Sequence, residues 1–241
     1  MSTLTILIAG AGIGGLTAAA ALAQRGAKVI VFEKSKTLGE VGAGLQQGPN
    51  AMHVHEALGI REAIEAAGYA PKNAVMRDYH SGETLFKTPL NPSHQERYGQ
   101  KYITIHRADL HRILLHAAKD AGAQIHLGEA ITDYSQSRDA VTILAGGIPY
   151  SGDALIGADG IHSKIRAHML GEQTPHFTGQ VAWRGTIPAS KAPSGFMDSD
   201  VTAWLGPHKH FISYAIRGGE LINFVAIEER EAWAQEGWSH K

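Results

Sequence analysis

No cysteine occurs in the chain, which excludes disulfides and thiolate metal sites and says little about compartment. An excess of charge of one sign is lacking too. Lys and Arg number 22 against 23 Asp and Glu, a formal net charge of −1. Such a balance gives no broad pull towards nucleic acid or an anionic membrane. Long apolar runs are also missing. The longest, around residues 13–22 and 29–32, are broken by Gly or charge. None reaches the roughly 20 residues that a membrane span needs. No basic region followed by a cleavage site precedes the first strand pattern, so a secreted protein is not expected and a cytoplasmic one is. Glycine, by contrast, is abundant. Its 28 residues in 241 exceed the average share of about 7 %, which points to close backbone approaches. The 44 % hydrophobic content is that of a folded chain, long enough for one sizeable core or two modest ones.

Residues 4–9 are a short apolar run, read as a buried parallel strand. Residues 16–25, rich in Ala and Leu, predict a helix that stops at Gly26. Residues 28–33 are a second strand, which completes a strand–helix–strand unit with a right-handed crossover. Residues 50–67 predict one amphipathic helix capped by Asn50 and closed by Gly68. Residues 74–87 read as a hairpin around His80-Ser81-Gly82-Glu83. A helix over 109–121 and a strand over 124–127 follow. After Gly160 the texture changes. Residues 179–187, 201–205, 210–217 and 221–227 are β-branched or aromatic segments between Gly and Pro turns. The fold class expected is therefore α/β over the first two-thirds, with an antiparallel sheet in the last third.

Gly10-Ala11-Gly12-Ile13-Gly14-Gly15 falls between the first strand and the first helix, where a dinucleotide fingerprint belongs. Gly10 permits the tight turn, Gly12 lets the backbone approach a pyrophosphate, and Gly15 allows close helix–strand packing. The helix N-terminus supplies N–H groups and a positive dipole end for phosphate. Glu33 closes the second strand, where its carboxylate can accept hydrogen bonds from an adenosine ribose and repel a 2′-phosphate. The ligand expected is an ADP-containing dinucleotide, FAD or NAD rather than NADP.

Later segments choose between them. Gly157-Ala158-Asp159-Gly160, followed by Ser163 and Arg166, resembles the second signature of the class A flavoprotein monooxygenases, the FAD-dependent aromatic hydroxylases. In that family the Asp-Gly turn serves both FAD and passing NAD(P)H, which the resemblance carries to Asp159 and Gly160. Arg107-Ala108-Asp109-Leu110 resembles the family's Arg-x-x-Leu segment, where the Arg contacts the flavin. Residues 38–51, with Gly42 and Gly44, resemble the loop that passes the isoalloxazine. Val181-Ala182-Trp183-Arg184-Gly185 and residues 206–214 are most similar to salicylate hydroxylases, 3-hydroxybenzoate 6-hydroxylases and 6-hydroxynicotinate 3-monooxygenases. The resemblance implies a Rossmann-like FAD-binding domain over 1–75 and 100–176 and a β-sheet substrate region over 76–99 and 177–241. It also implies non-covalent FAD, with NADH or NADPH as a transient co-substrate. The reaction implied is hydroxylation of a small phenolic or pyridinol carboxylic acid with O2, through a flavin hydroperoxide. The family's third flavin motif, Gly-Asp-Ala-x-His before a Pro, is absent, so the chain reads as a C-terminally truncated member. An FAD oxidase or dehydrogenase on the same scaffold, or a flavin-binding fragment without turnover, are the alternatives.

Ring hydroxylation is fastest on a phenolate, which calls for a base beside the phenol. His210 is the candidate, because His210, Ile212 and Tyr214 share one face of a predicted strand. The resembling subgroup carries a His and a Tyr at this spacing in the substrate site. His208 is expected on the same face, but no Cys and no nearby carboxylate spacing supports a metal, so none is expected. His53, His55, His106, His111 and His116 read as surface residues. Trp183, Trp204 and Tyr214 could line an aromatic pocket or simply fill a sheet core. Arg184 could meet a substrate carboxylate or water. The partners expected are a small aromatic acid and, as oligomer, a homodimer, with no nucleic acid and no membrane.

Overall fold

The computed structural model describes residues 3–39, 42–193, 196 and 200–232. Two compact units emerge: residues 1–39 with 111–176, and residues 40–110 with 177–241.

In the first unit, Thr5–Ala9, Lys28–Glu33, Gln124–Leu127 and Ala154–Gly157 form a parallel sheet with Thr5–Ala9 and Lys28–Glu33 at its centre. Four successive residues of each central strand are buried, because a parallel sheet is covered on both faces, and this explains their unbroken apolar runs. Helix Ile13–Ala23 connects them and buries Leu16, Ala19, Ala20 and Ala23. A three-stranded antiparallel sheet follows, built from Ile131–Gln136, Val141–Ala145 and Ile148–Gly152. Its inward residues Val141, Ile143 and Ala145 pack on Leu7, Ile30 and Phe32 in one core. The sequence reading assigned no strand to residues 131–152. The alternation of Val141, Ile143 and Ala145 with polar or exposed neighbours is the period-two signal that carries this extra sheet. Helix Lys164–Leu170 is capped by Ser163, whose side chain accepts the Arg166 N–H.

In the second unit, six strands run in the order Gln180–Pro188, Leu221–Glu229, Lys209–Ile216, Val201–Gly206, Asn73–Asp78 and Thr84–Pro89. All neighbours are antiparallel except Val201–Gly206 with Asn73–Asp78, which are parallel. Gly44–Gln47 pairs with Ile103–His106 in a small ribbon. Residues 40–75 and 100–110, which the sequence reading attaches to the cofactor domain, thus pack in this unit. The single helix expected over 50–67 is two, Pro49–Ala57 and Arg61–Ala67. Gly59 breaks it with a φ of 73°, a left-handed turn that ends a helix. The first of the two is capped by Gly48 with Pro49 in its first turn, rather than by Asn50. Among the described residues no helix is long and apolar enough to cross a membrane.

Candidate functional site

The first strand ends where the Gly-rich turn begins. Gly10 has a φ of 99°, and a Cβ there would meet the Ala158 carbonyl oxygen at 2.5 Å. A Cβ on Gly15 would lie 2.0 Å from the Gly10 oxygen, so both glycines are required by packing within the protein. Gly12 differs. It caps the helix with extended backbone, and a Cβ there would meet nothing within 4 Å. The space it faces is a cleft of about 620 Å³ lined by Gly10, Gly12, Phe32, Glu33, Asp159 and Gly160, among others. Side-chain-free backbone at a helix start, open to a cleft, is the geometry a pyrophosphate needs.

Glu33 stands at the same cleft, its carboxylate accepting the N–H groups of Ala11 and Ser35, each at 2.9 Å. Burial opposes its ionisation, but these N–H donors and the Lys34 charge outweigh it and hold the acid below its ordinary pKa. It is therefore an anion at neutral pH, and each oxygen keeps a lone pair for a ribose hydroxyl. Asp159 is more heavily engaged than a simple Asp-Gly turn would require. One oxygen accepts the Ser163 hydroxyl at 2.6 Å, and the other accepts the Lys164 and Ile165 N–H groups at 2.7 and 3.2 Å. Ser163 in turn accepts the Arg166 N–H at 2.9 Å. Asp159 thus organises the start of the helix that follows, while Gly160, with a φ of 82°, keeps the turn thin at the cleft. Gly10, Gly12, Gly15, Glu33, Asp159 and Gly160 are brought together, and they fit the ADP part of a dinucleotide.

Gly44, Arg107, His210 and Tyr214 belong to the second unit. Arg107 opens helix Arg107–Asp120 and donates its N–H to the Ala43 carbonyl at 3.0 Å. A Cβ on Gly44 would come within 2.6 Å of the Tyr214 ring and 2.8 Å of the Asn223 side chain, which explains the glycine. The Gly44 N–H donates to Asn223 Oδ1 at 2.5 Å. Tyr102 donates its hydroxyl to Gln46 Oε1. Tyr214 is buried, and burial raises its phenol to about 12 against the side chains of Gln46 and Asn223 beside it. Burial also raises Tyr102 to about 12. Both phenols are neutral at physiological pH. Gln46, Tyr102 and Asn223 were not singled out from the sequence. Asn223, a polar residue inside the apolar strand Leu221–Glu229 and fully buried, is the one that could have been.

His210 pairs with Leu205 and Ile227 on the face that also carries Tyr214, four residues and roughly 13 Å along the strand. His210 lines the edge of a cleft of about 260 Å³ walled by Tyr79, Trp183, Trp204 and Phe211. Trp183 pairs with Ala226, and Trp204 with Phe211, which sets both tryptophans on the face opposite Tyr214. The aromatic pocket of Trp183, Trp204 and Tyr214 is therefore not formed, because side chains alternate across a strand. His208 does not share the face of His210 either. It sits in the turn with a φ of 57°, its Nδ1 2.6 Å from Glu229, a carboxylate that sequence spacing did not bring near. Three histidines read as surface residues are buried: His55, His106 and His111. His55 meets Gln47 Oε1 at 2.9 Å. His106 fills the space a Cβ on Gly42 would take, and burial followed by the Arg217 charge lowers its pKa. Arg217 is itself held by Asp109 through contacts of 2.7 and 3.3 Å.

Known proteins resemble this chain along nearly its whole length. The chain is 38 % identical over 222 residues to 3-hydroxybenzoate 6-hydroxylase 1 of Aquipseudomonas alcaligenes, covering 91 % of this chain and 56 % of that protein. To 6-hydroxynicotinate 3-monooxygenase of Pseudomonas fluorescens it is 32 % identical over 231 residues, covering 95 % and 60 %. The crystal structure of Klebsiella pneumoniae HpxO complexed with FAD and uric acid superposes with a TM-score of 0.83 at 31 % identity, covering 97 % of this chain and 58 % of that one. The chain thus spans well under two-thirds of the length of these relatives. A family model described as FAD binding domain matches residues 3–235. With Gly12, Glu33 and Asp159 at one cleft, the chain belongs to this FAD-binding family of class A flavoprotein monooxygenases.

Proposed function

We propose that this chain forms the FAD-binding part of an NAD(P)H-dependent hydroxylase of a small phenolic or pyridinol carboxylic acid. The observation that carries the reading is the convergence of the open helix start at Gly12, the ionised Glu33 and the Asp159–Gly160 turn on one cleft. Bound FAD supplies electron transfer from NAD(P)H and the activation of oxygen. The protein's residues do the rest. Gly12 and the helix N-terminus hold the pyrophosphate, Glu33 holds the adenosine ribose, and Asp159 serves flavin and nicotinamide through the turn it braces. Arg107 and the backbone at Gly44 serve the flavin ring.

On the substrate side His210 takes the phenol proton at its imidazole. Tyr214, neutral below about 12, offers its hydroxyl as a hydrogen-bond donor to the substrate. Relatives named for hydroxybenzoate and hydroxynicotinate support an aromatic acid as the substrate class, and the cytoplasm as supplier of NAD(P)H fits the reaction. Product analysis under isotopically labelled O2, with hydroxybenzoates and hydroxynicotinates as candidates, tests the proposal. Label in the ring hydroxyl supports it. Substrate oxidation without label would replace it with an oxidase or dehydrogenase.

A further inference from the structure

His111 lies on helix Arg107–Asp120, a hundred residues from the Gly-rich turn, yet it is buried and its Nε2 is 2.7 Å from the carbonyl oxygen of Ala11. A carbonyl only accepts, so Nε2 carries the proton and donates it. Ala11 is the residue between Gly10 and Gly12. Its own N–H is held by Glu33 at 2.9 Å, the Gly10 N–H by the Phe32 carbonyl at 2.8 Å, and the Gly12 carbonyl by the Leu16 N–H at 2.9 Å. The turn is therefore tied at successive peptides, and His111 supplies the tie at the Ala11–Gly12 peptide.

That peptide has a particular consequence. Its plane is rigid and trans, so its C=O and N–H point in opposite directions. The Ala11 carbonyl is directed inward to a buried imidazole. The Gly12 N–H then points away from that imidazole, and Gly12 itself lines the cleft. We propose that His111 is a positioning residue for FAD: it fixes the Ala11–Gly12 peptide so that the Gly12 N–H is presented to the pyrophosphate before the cofactor arrives. Preorganisation of this kind stabilises the complex by removing an ordering cost from binding. The inference rests on the reading of this cleft as the FAD site.

The test is FAD titration of the apoprotein for wild type, His111→Leu, His111→Gln and Gly12→Val, with urea unfolding of each apoprotein. Leu has no donor, whereas the Gln amide N–H reaches about as far as Nε2. The expected result is FAD binding weakened about three- to tenfold in His111→Leu, the worth of one net hydrogen bond, and largely restored in His111→Gln. A purely structural His111 would lower apoprotein stability without that recovery of affinity. Wild-type FAD affinity in His111→Leu, or equal loss in both variants at equal apoprotein stability, overturns the proposal. If Gly12→Val keeps its flavin, the reading of the cleft falls and this inference with it. If only Gly12→Val loses flavin, the cleft stands and His111 alone is wrong. Should His111→Leu fail to fold, nitrogen NMR of wild-type His111 decides: an Nε2–H tautomer with a Gly12 amide shift on adding FAD supports the proposal, and an Nδ1–H tautomer overturns it.

Discussion

Replacing Asp159 by Ala removes three hydrogen bonds at once, from the Ser163 hydroxyl and from the Lys164 and Ile165 N–H groups. Loss of a capping side chain costs about 0.5–2 kcal/mol, and a bond to a charged acceptor about 1.5–3 kcal/mol. Asp159 is half-buried, so water replaces part of what is lost. The expected cost is about 1–2 kcal/mol of apoprotein stability. It should be read as a lower midpoint in urea at an unchanged slope, since the loss is local and the surface exposed on unfolding stays the same. Asp159→Asn keeps one acceptor oxygen and turns the other into a donor facing N–H or O–H groups, so it should lie between wild type and Ala. Because the turn borders the cleft, FAD affinity should fall as well, and reduction by NAD(P)H should slow even with FAD in excess. An unchanged urea midpoint in Asp159→Ala would refute the capping argument. An unchanged reduction rate in stopped flow would confine Asp159 to that cap.

Tyr102 and Tyr214 titrate near 12 in the fold against 10.0 in the unfolded chain. The folded state thus holds phenol protons that the unfolded state has lost, and stability present below pH 10 is lost as pH rises through about 12. Urea midpoints measured from pH 9 to 12 should fall more steeply for wild type than for the Tyr102→Phe/Tyr214→Phe pair, and equal slopes would contradict the burial of these phenols. His210→Ala should reduce ring hydroxylation by about 10²–10⁴, the range for a lost general base. NAD(P)H consumption should continue and release hydrogen peroxide, so the measured ratio of hydroxylated product to NAD(P)H falls; a wild-type ratio would remove His210 from the site.

The cofactor half was legible because its signals are local. Strand, Gly turn, helix and Glu33 lie within the first 33 residues, and Gly10 and Gly15 each have a distinct steric reason. The Asp159 segment was legible for the same cause, although the extent of its capping was not. What escaped the sequence depends on pairing over long separations. Gln46, Tyr102, Tyr214 and Asn223 meet only through the fold, with Gly44 and Asn223 joined across 179 positions. The faces of Trp183 and Trp204 depend on strand register, which a single sequence does not fix between distant strands. His55, His106 and His111 passed as surface residues because a buried histidine differs from an exposed one only in its partner, and their partners are a side chain, a glycine and a carbonyl elsewhere in the chain. The helix break at Gly59 was a local signal that the amphipathic pattern on either side masked.

The central claim is that FAD is held with its pyrophosphate against the backbone of Gly12. Titration of the apoprotein with FAD, followed through the visible absorbance of bound flavin, tests it most directly when wild type and Gly12→Val are compared. A Cβ at Gly12 would meet no atom within 4 Å and Gly12 lines the cleft, so the apoprotein should fold as wild type while the pyrophosphate is displaced. The account predicts saturable one-to-one binding in wild type and none at the same FAD concentrations in Gly12→Val. Stoichiometric flavin retained by a folded Gly12→Val variant would contradict it.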